Sequence, residues 1–428
     1  MPADHRRLVH PCGAQRLGLD TPMGGVNVTV VGMGADGWDG LPASSRALVE
    51  DADVLLGGER HLELVHTIEG QERHAWPRPM TSLPTFLEQY DGLRIVALAS
   101  GDPLVSGIGT TLIRLLGTDA VTVVPAVSSV SLARARMGWS AEESAVVTLV
   151  GRDPAALRRE FAPGHRLIVL SSDESTPLTV AADLRDAGYG RSLLTVLGDL
   201  GDSRESRTEF HAGQTAMPVD LPRLNVVAVE VRGPGKGSGV VSWAPGLPDD
   251  AFEHDGQITK RDVRASALSR LAPRPGALLW DVGAGAGSVA IEWLRAHPLT
   301  AAVAIEASSE RAARIGRNAT ALGVPRLKVV VGTAPESLAG LAQPDAIFVG
   351  GGATAPDLLD LCREALGPGG RLVVHGVTLE TESLLVDAFH QYGGELTRLS
   401  VEHVTPLGGR FTGWTPARAV VQWTWEKA

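Results

Sequence analysis

The stretch LLWDVGAGAGSVAIEWL, residues 278–294, constrains this chain more than any other. An apolar run leads through Asp281 into three spaced glycines, Gly283, Gly285 and Gly287, and an apolar helical pattern follows. That order predicts a strand, a tight turn and a helix. The glycines let the backbone turn sharply and let a ligand approach it with no Cβ in the way. The helix start offers unpaired N–H groups and the positive end of a dipole, which suits an anionic group. The next apolar run, AVAIEAS, ends on Glu306, 23 positions beyond Gly283. A carboxylate there can accept hydrogen bonds from two ribose hydroxyls. After a third run, VVGTAPESL, the small residues Gly332, Thr333 and Ala334 leave room for an adenine ring. A fourth run, DAIFVGGGA, brings Gly350–Gly352 to the same crevice. A strand, a glycine loop, a helix and a distal acid at these spacings predict a nucleotide-type ligand.

A dinucleotide fingerprint asks for G-x-G-x-x-G. Here the loop is G-x-G-x-G preceded by Asp281, and D-x-G-x-G-x-G resembles the first motif of class I S-adenosylmethionine (SAM) methyltransferases. The resemblance covers residue 258 to the end, and it implies that the helix start faces the carboxylate of the methionine part. The preceding segment ITKRDVRASALSRL, together with PDAIFVGGG and LVVHGVTLET, resembles the carbon-15-methylating, decarboxylating subunit of corrin synthesis. That family more often has Asn where this chain has His375, so His375 is given no role. Lys260 and Arg264 share one face at helical spacing. They are candidates for holding substrate carboxylates, with simple solvation of the helix as the alternative.

The amino-terminal half carries a different set: VTVVGMGADG (28–37), ALASGDPLVSGIG (97–109) and VTVVPAVSSVSLARARMGW (121–139). These resemble three successive signatures of the tetrapyrrole methylase family, known as class III. In that family two small α/β subdomains hold SAM in the trough between them. The first signature usually reads G-x-G-P-G-D; here Ala35 replaces the proline and the acid is Asp36. Gly101, Asp102 and Pro103 form a turn at a strand end, where α/β proteins bind ligands. The resemblance implies that this turn contacts the cofactor, and that the Pro125–Ser129 loop does so through its backbone and the hydroxyls of Ser128 and Ser129. The run ADVLLGGERHLELV (52–65) resembles the carbon-5-methylating subunit of corrin synthesis.

A chain of 428 residues suits two domains. Both halves alternate Val/Ile/Leu-rich runs with helical stretches, the pattern of largely parallel α/β sheets. The expected fold is a tetrapyrrole methylase domain of two α/β subdomains over 25–231 and a class I Rossmann-like methyltransferase domain over 255–428. Residues 1–24 form a tail, and a Gly/Pro-dense linker spans 232–254. The expected strands are 26–34, 54–56, 95–99, 121–124, 146–150, 167–170, 193–197 and 224–231 in the first domain. In the second they are 277–282, 301–305, 327–331, 345–349 and 371–374, with two late runs at 396–404 and 418–425 forming a hairpin.

Two cysteines, Cys12 and Cys362, form no disulfide framework and no metal-ligand pattern, so a reducing cytoplasm is expected. The twelve histidines are scattered, and no metal site is expected. The first residues lack an apolar stretch of signal-peptide type, and no run is long enough for a membrane span. A net charge of −10 argues against a nucleic-acid partner. Arg152, Arg158 and Arg159 form a solvated helix face, no G-x-S-x-G makes Ser128 or Ser129 a nucleophile, and Trp423 and Trp425 pack in the core. The resemblances together imply a bifunctional corrin-pathway methyltransferase, assembled as a homo-oligomer. It uses two SAM molecules per chain, methylates two carbons of one tetrapyrrole and decarboxylates an acetate side chain. An RNA methylase and a SAM-binding protein without turnover are the other classes considered.

Overall fold

The structure, a computed structural model, describes residues 25–233 and 242–428. The expected tail, with Cys12, and the centre of the expected linker lie outside the described residues. The described residues divide into two compact units, 25–233 and 242–428.

The amino-terminal unit holds two five-stranded sheets. The first is built from β1 (Val28–Met33), β2 (Val54–Gly57), β3 (Glu72–Ala75), β4 (Ile95–Ser100) and β5 (Val121–Val124). Its strands are all parallel, in the order β3-β2-β4-β1-β5. Successive side chains of a strand point to opposite faces, and here both faces are covered. Val54, Leu56, Ile95, Ala97 and Ala99 enter one core, whereas Leu55, Val96 and Leu98 enter the other. This double burial is why the central strands read as unbroken apolar runs. The second sheet contains β6 (Ser144–Thr148), β7 (Arg166–Leu170), β8 (Leu193–Gly198), β9 (Ser206–His211) and β10 (Asn225–Glu230), in the order β6-β7-β10-β8-β9. Strands β3 and β9 were not expected. Both lie at sheet edges and read ERHA and SRTEFH, so they lack the apolar signal of a central strand.

The carboxy-terminal unit has one seven-stranded sheet. Its parallel part is β11 (Leu278–Val282), β12 (Ala301–Glu306), β13 (Lys328–Val331), β14 (Ala346–Val349) and β15 (Arg371–Gly376). After β16 (Glu395–Leu399) comes a separate pair, β17 (Glu402–Gly408) and β18 (Phe411–Pro416), and the chain closes with β19 (Val420–Glu426). The order is β13-β12-β11-β14-β15-β19-β16, with β19 antiparallel to both neighbours. The single late run expected at 396–404 is therefore split between β16 and β17, and β18 is an addition. The strand order reverses at β11, and ligands of open α/β sheets bind at the strand ends of such a switch point.

The segment expected as linker is not bare along its length. Leu247 and Phe252 are buried in the carboxy-terminal core, and the amides of Gly246 and Leu247 donate to the Glu292 carboxylate at 2.6 and 3.0 Å. Of the three expected surface arginines, Arg152 is exposed, whereas Arg158 and Arg159 are half-buried in a 3-10 turn, with Arg158 paired to Asp183 at 2.6 Å. Trp423 is fully buried and Trp425 packs against the same core. Among the described residues no helix is long and apolar enough to cross a membrane.

Candidate active sites

In the carboxy-terminal unit the strand ends at the switch point surround a cavity of about 1220 Å³. Gly283, Gly285 and Gly287 all have left-handed φ values, 69°, 58° and 74°, a region costly to side chains bearing Cβ. Space is also short. A Cβ on Gly283 would stand 2.7 Å from the Gly351 carbonyl oxygen, and one on Gly285 2.8 Å from that of Gln257. Gly283 and Gly285 line the cavity. Gly287 serves packing instead, since a Cβ there would meet Ile315 Cγ2 at 2.7 Å.

Glu306 ends β12 at the cavity wall and is almost entirely buried. Its Oε2 accepts from the Gly285 amide at 2.8 Å and its Oε1 from the Ser308 amide at 3.0 Å. The acid thus fixes the shape of the glycine loop while presenting its remaining lone pairs to the cavity. Gly332, Thr333, Ala334 and Gly350–Gly352 line the same space. Behind the loop, Asp281 is buried, and its Oδ2 accepts from the Ala290 amide at 3.0 Å. It therefore caps the helix Ser288–Ala296, whose own N-cap, Gly287, has no side chain to do so. Burial pushes the Asp281 carboxyl up to about 7, opposed by the Ala290 hydrogen bond and reinforced by the nearby Glu306 charge.

Of the two expected substrate cations, Lys260 lines the cavity, with Nζ 3.5 Å from Asp249. Arg264 does not. Its side chain is fully buried, with Nε donating to Glu292 Oε1 at 2.6 Å and the guanidinium stacked on Phe252 at 4.8 Å. The helix Arg261–Leu271 turns Arg264 into the core, so sharing a face with Lys260 did not bring it to the ligand. Arg261, which lies with Lys260 and Arg264 in the basic run before the glycine loop, also lines the cavity, as do Arg311, His403 and Arg418, which were not expected. Arg261 is sequence-adjacent to Lys260, whereas His403 arrives on β17 and Arg418 on the connection between β18 and β19, with no local signal. His375, at the end of β15, lines the cavity too. Its Nε2 pairs with Gln422 Oε1 at 2.9 Å, its ring stands edge-on to Phe348, and burial holds its pKa down at about 4.

The amino-terminal unit has a smaller cavity, about 350 Å³, lined by strand ends of both its sheets. The three sequence signatures converge there and are joined through the backbone. The Gly101 amide donates to the Met33 carbonyl at 2.8 Å, and the Ala126 amide donates to the Gly101 carbonyl at 3.2 Å. Gly32 sits against this junction, where a Cβ would stand 2.6 Å from the Ala126 nitrogen. Gly101 has φ 52°, and a Cβ on it would lie 3.0 Å from Ser128 Cα. Asp102 Oδ1 accepts from the Leu104 amide at 2.9 Å, closing the turn. Ser128 caps the helix Ser129–Met137 by accepting from the Ser131 amide at 3.1 Å. Gly101, Asp102, Ser128 and Ser129 line the cavity. Pro103 stands behind it, its carbonyl against Gly107 and Gly109. Arg60 and His61, from the GGERHL stretch, are further lining residues that the sequence did not single out.

Two glycine-walled cavities at strand ends, each in its own α/β unit, define a two-domain SAM-dependent methyltransferase. Residues 27–209 match the tetrapyrrole (corrin/porphyrin) methylases, and residues 250–427 match the precorrin methyltransferase domain. The chain is 45% identical to a precorrin-6Y C(5,15)-methyltransferase (decarboxylating) of Sinorhizobium sp, over 94% of this chain and 96% of the relative. It is 46% identical to the protein of that name from Mycobacterium tuberculosis (strain CDC 1551 / Oshkosh), over 94% and 100%. A solved structure, the C-terminal domain of precorrin-6Y C5,15-methyltransferase from Rhodobacter capsulatus, is 45% identical, covering 44% of this chain and all of that one with a TM-score of 0.42. The chain belongs to the precorrin-6Y C(5,15)-methyltransferase (decarboxylating) family.

Proposed function

We propose that this chain methylates precorrin-6Y at carbons 5 and 15 and removes carbon dioxide from an acetate side chain, giving precorrin-8 in cobalamin biosynthesis. The amino-terminal unit carries the carbon-5 methylation. The carboxy-terminal unit carries the carbon-15 methylation and the decarboxylation. Each holds its own SAM. The observation that supports this most is that each unit has a separate strand-end cavity and matches a different methyltransferase family.

The residues present suit the cofactor. In the carboxy-terminal unit Gly283 and Gly285 leave bare backbone at the cavity wall, and Glu306 offers a buried acceptor to ribose hydroxyls. Gly332, Thr333 and Ala334 flank the adenine position. In the amino-terminal unit Gly101, Asp102, Ser128 and Ser129 provide backbone and hydroxyl contacts, with Pro103 supporting their turn. When bound, SAM supplies a methyl group on a sulfonium, open to in-line attack. The attacking ring carbon is already electron-rich, so the protein contributes orientation and electrostatics rather than a covalent nucleophile.

Lys260, Arg261 and Arg418 hold peripheral carboxylates of the tetrapyrrole. His375, kept neutral by burial, adds no positive charge that would stabilise the departing acetate carboxylate. On decarboxylation the electron pair of the broken C–C bond passes into the conjugated ring, and a proton is taken up later. We place the protein in the cytoplasm, where a buried free thiol such as Cys362 stays reduced. Its partner is the tetrapyrrole, not nucleic acid. We place it as a homo-oligomer, since Val404, Leu407, Phe411 and Trp414 of the β17–β18 pair are largely exposed.

The test is mass spectrometry of the product formed by the purified chain from precorrin-6Y and methyl-labelled SAM. A gain of two labelled methyls with loss of one carbon dioxide is expected. SAM binding without turnover, or transfer to RNA instead, would overturn the reading.

A further inference from the structure

Arg60 is the one Lys or Arg that lines the amino-terminal cavity among the described residues. It sits in the short helix Glu59–Glu63, directly after β2. Its Nη2 lies 3.1 Å from His61 Nε2 and 3.3 Å from Ser100 Oγ, and His61 Nε2 lies 2.9 Å from the same hydroxyl. A guanidinium can only donate, so His61 Nε2 accepts and its ring is neutral with the proton on Nδ1. Burial and the neighbouring Arg60 charge hold the His61 pKa down at about 4, which agrees with that tautomer. Ser100 closes the triangle as the last residue of β4, immediately before the Gly101 turn.

Among the described residues Arg60 makes no ion pair; Asp199 is the carboxylate whose charge acts on it, without a direct contact, and its hydrogen bonds, to His61 and Ser100, are all through Nη2. Among the described residues Asp102 is the one carboxylate lining the cavity, and its Oδ1 is engaged with the Leu104 amide. A cation fixed on one side by two neutral partners, with its fork otherwise open, is a built site for a planar anion.

We infer that Arg60, positioned by His61 and Ser100, binds a side-chain carboxylate of the tetrapyrrole and so orients the ring for methylation in the amino-terminal unit. The inference rests on the function proposed above. The SAM carboxylate is the other source of the same chemistry, and the observations favour the tetrapyrrole. The strand-end backbone available to SAM lies at the Gly32, Gly101 and Ala126 junction, whereas Arg60 enters from β2 on the far side of β4.

The experiment uses the full chain and the variants Arg60→Gln and Arg60→Lys. Gln retains a donor toward His61 and Ser100 without the charge. Calorimetry with S-adenosylhomocysteine reads cofactor binding, and thermal melts read folding. Labelled-methyl transfer to precorrin-6Y reads KM and kcat at each carbon. Arg60→Gln is expected to raise KM for carbon-5 methylation at least tenfold. Cofactor binding, melting and carbon-15 methylation stay at wild-type values, and singly methylated, decarboxylated product accumulates. Arg60→Lys is expected to fall between the two, since it keeps the charge but loses the fork. Weakened cofactor binding with unchanged tetrapyrrole KM would assign Arg60 to SAM and overturn the inference, as would wild-type kinetics at both carbons. If the wild-type chain itself fails to methylate carbon 5, the failure lies with the proposed function.

Discussion

Arg264 donates its Nε–H to Glu292 Oε1 at 2.6 Å, with both side chains shut off from solvent. Glu292 also accepts from the amides of Gly246 and Leu247, so one carboxylate ties the domain entry to two helices. Removing one partner of a buried pair leaves an uncompensated charge and costs about 3–5 kcal/mol. Arg264→Met should therefore lower the stability of the carboxy-terminal unit by that amount in urea unfolding. The double variant Arg264→Met/Glu292→Leu should recover part of the loss, but not all, because the two amides remain without an acceptor. An unchanged stability of Arg264→Met would show that the Arg264–Glu292 pair does not hold this unit together.

The same contacts set where the domain can be cut. A fragment of residues 242–428 keeps Leu247, Phe252 and the Glu292 contacts. It should fold, bind SAM and methylate carbon 15. A fragment of residues 255–428 loses two core side chains and should melt well below the longer one, or aggregate. Equal melting temperatures by calorimetry would show that the 242–254 segment contributes no stability.

Glu306→Ala should weaken SAM binding in the carboxy-terminal unit by about 1.5–3 kcal/mol, roughly tenfold or more, through loss of a charged acceptor. Glu306→Gln should lose less, because its amide oxygen can still accept from Gly285. The amino-terminal site should keep its affinity in both variants. Unchanged titrations of the 242–428 fragment would remove Glu306 from the ribose role.

Asp281 makes a pH prediction. Its carboxyl titrates near 7 in the folded chain, against 3.8 as the ordinary value. Between those values the folded state holds a proton that the unfolded state has released. Its contribution to stability is therefore full below about pH 4 and lost as pH rises toward 7, on the order of 4 kcal/mol. Asp281→Asn retains an acceptor for Ala290 and removes the titration. The stability difference, variant minus wild type, should grow from pH 4 to pH 7 and then level off. The surface acids Asp53 and Asp202, held at about 2 by Arg94 and Arg204, act in the opposite sense below pH 4 in both proteins and cancel. A flat difference across that range would mean that Asp281 is ionised throughout.

Gly101→Ala should disable the amino-terminal site selectively. The left-handed φ and the Ser128 backbone at 3.0 Å leave the new methyl no room without moving two signature loops. Carbon-5 methylation should fall more than tenfold while carbon-15 methylation persists. Product masses one methyl short would show this, and full double methylation would contradict it.

Much of this was legible in the sequence because its physics is local. The parallel strands announce themselves as apolar runs because both faces of each central strand are buried, as with Leu55 against Leu56. The glycine loop and its distal acid are legible because turn geometry and strand length fix their spacing. Strands β3 and β9 were not, since an edge strand buries too little to need apolar residues.

By itself the sequence determined the class of each half, the two glycine-bearing strand ends and the family, since short-range order and composition carry these. Tertiary structure decided how the residues are used. Lys260 and Arg264 are alike in the sequence, yet one lines a cavity and the other is locked to Glu292, because burial depends on which side of the helix meets the core. Gly287 resembles Gly283 and Gly285 but answers to Ile315, 28 positions along the chain. Arg60, His403 and Arg418 reach their cavities through strand order, which no local spacing encodes.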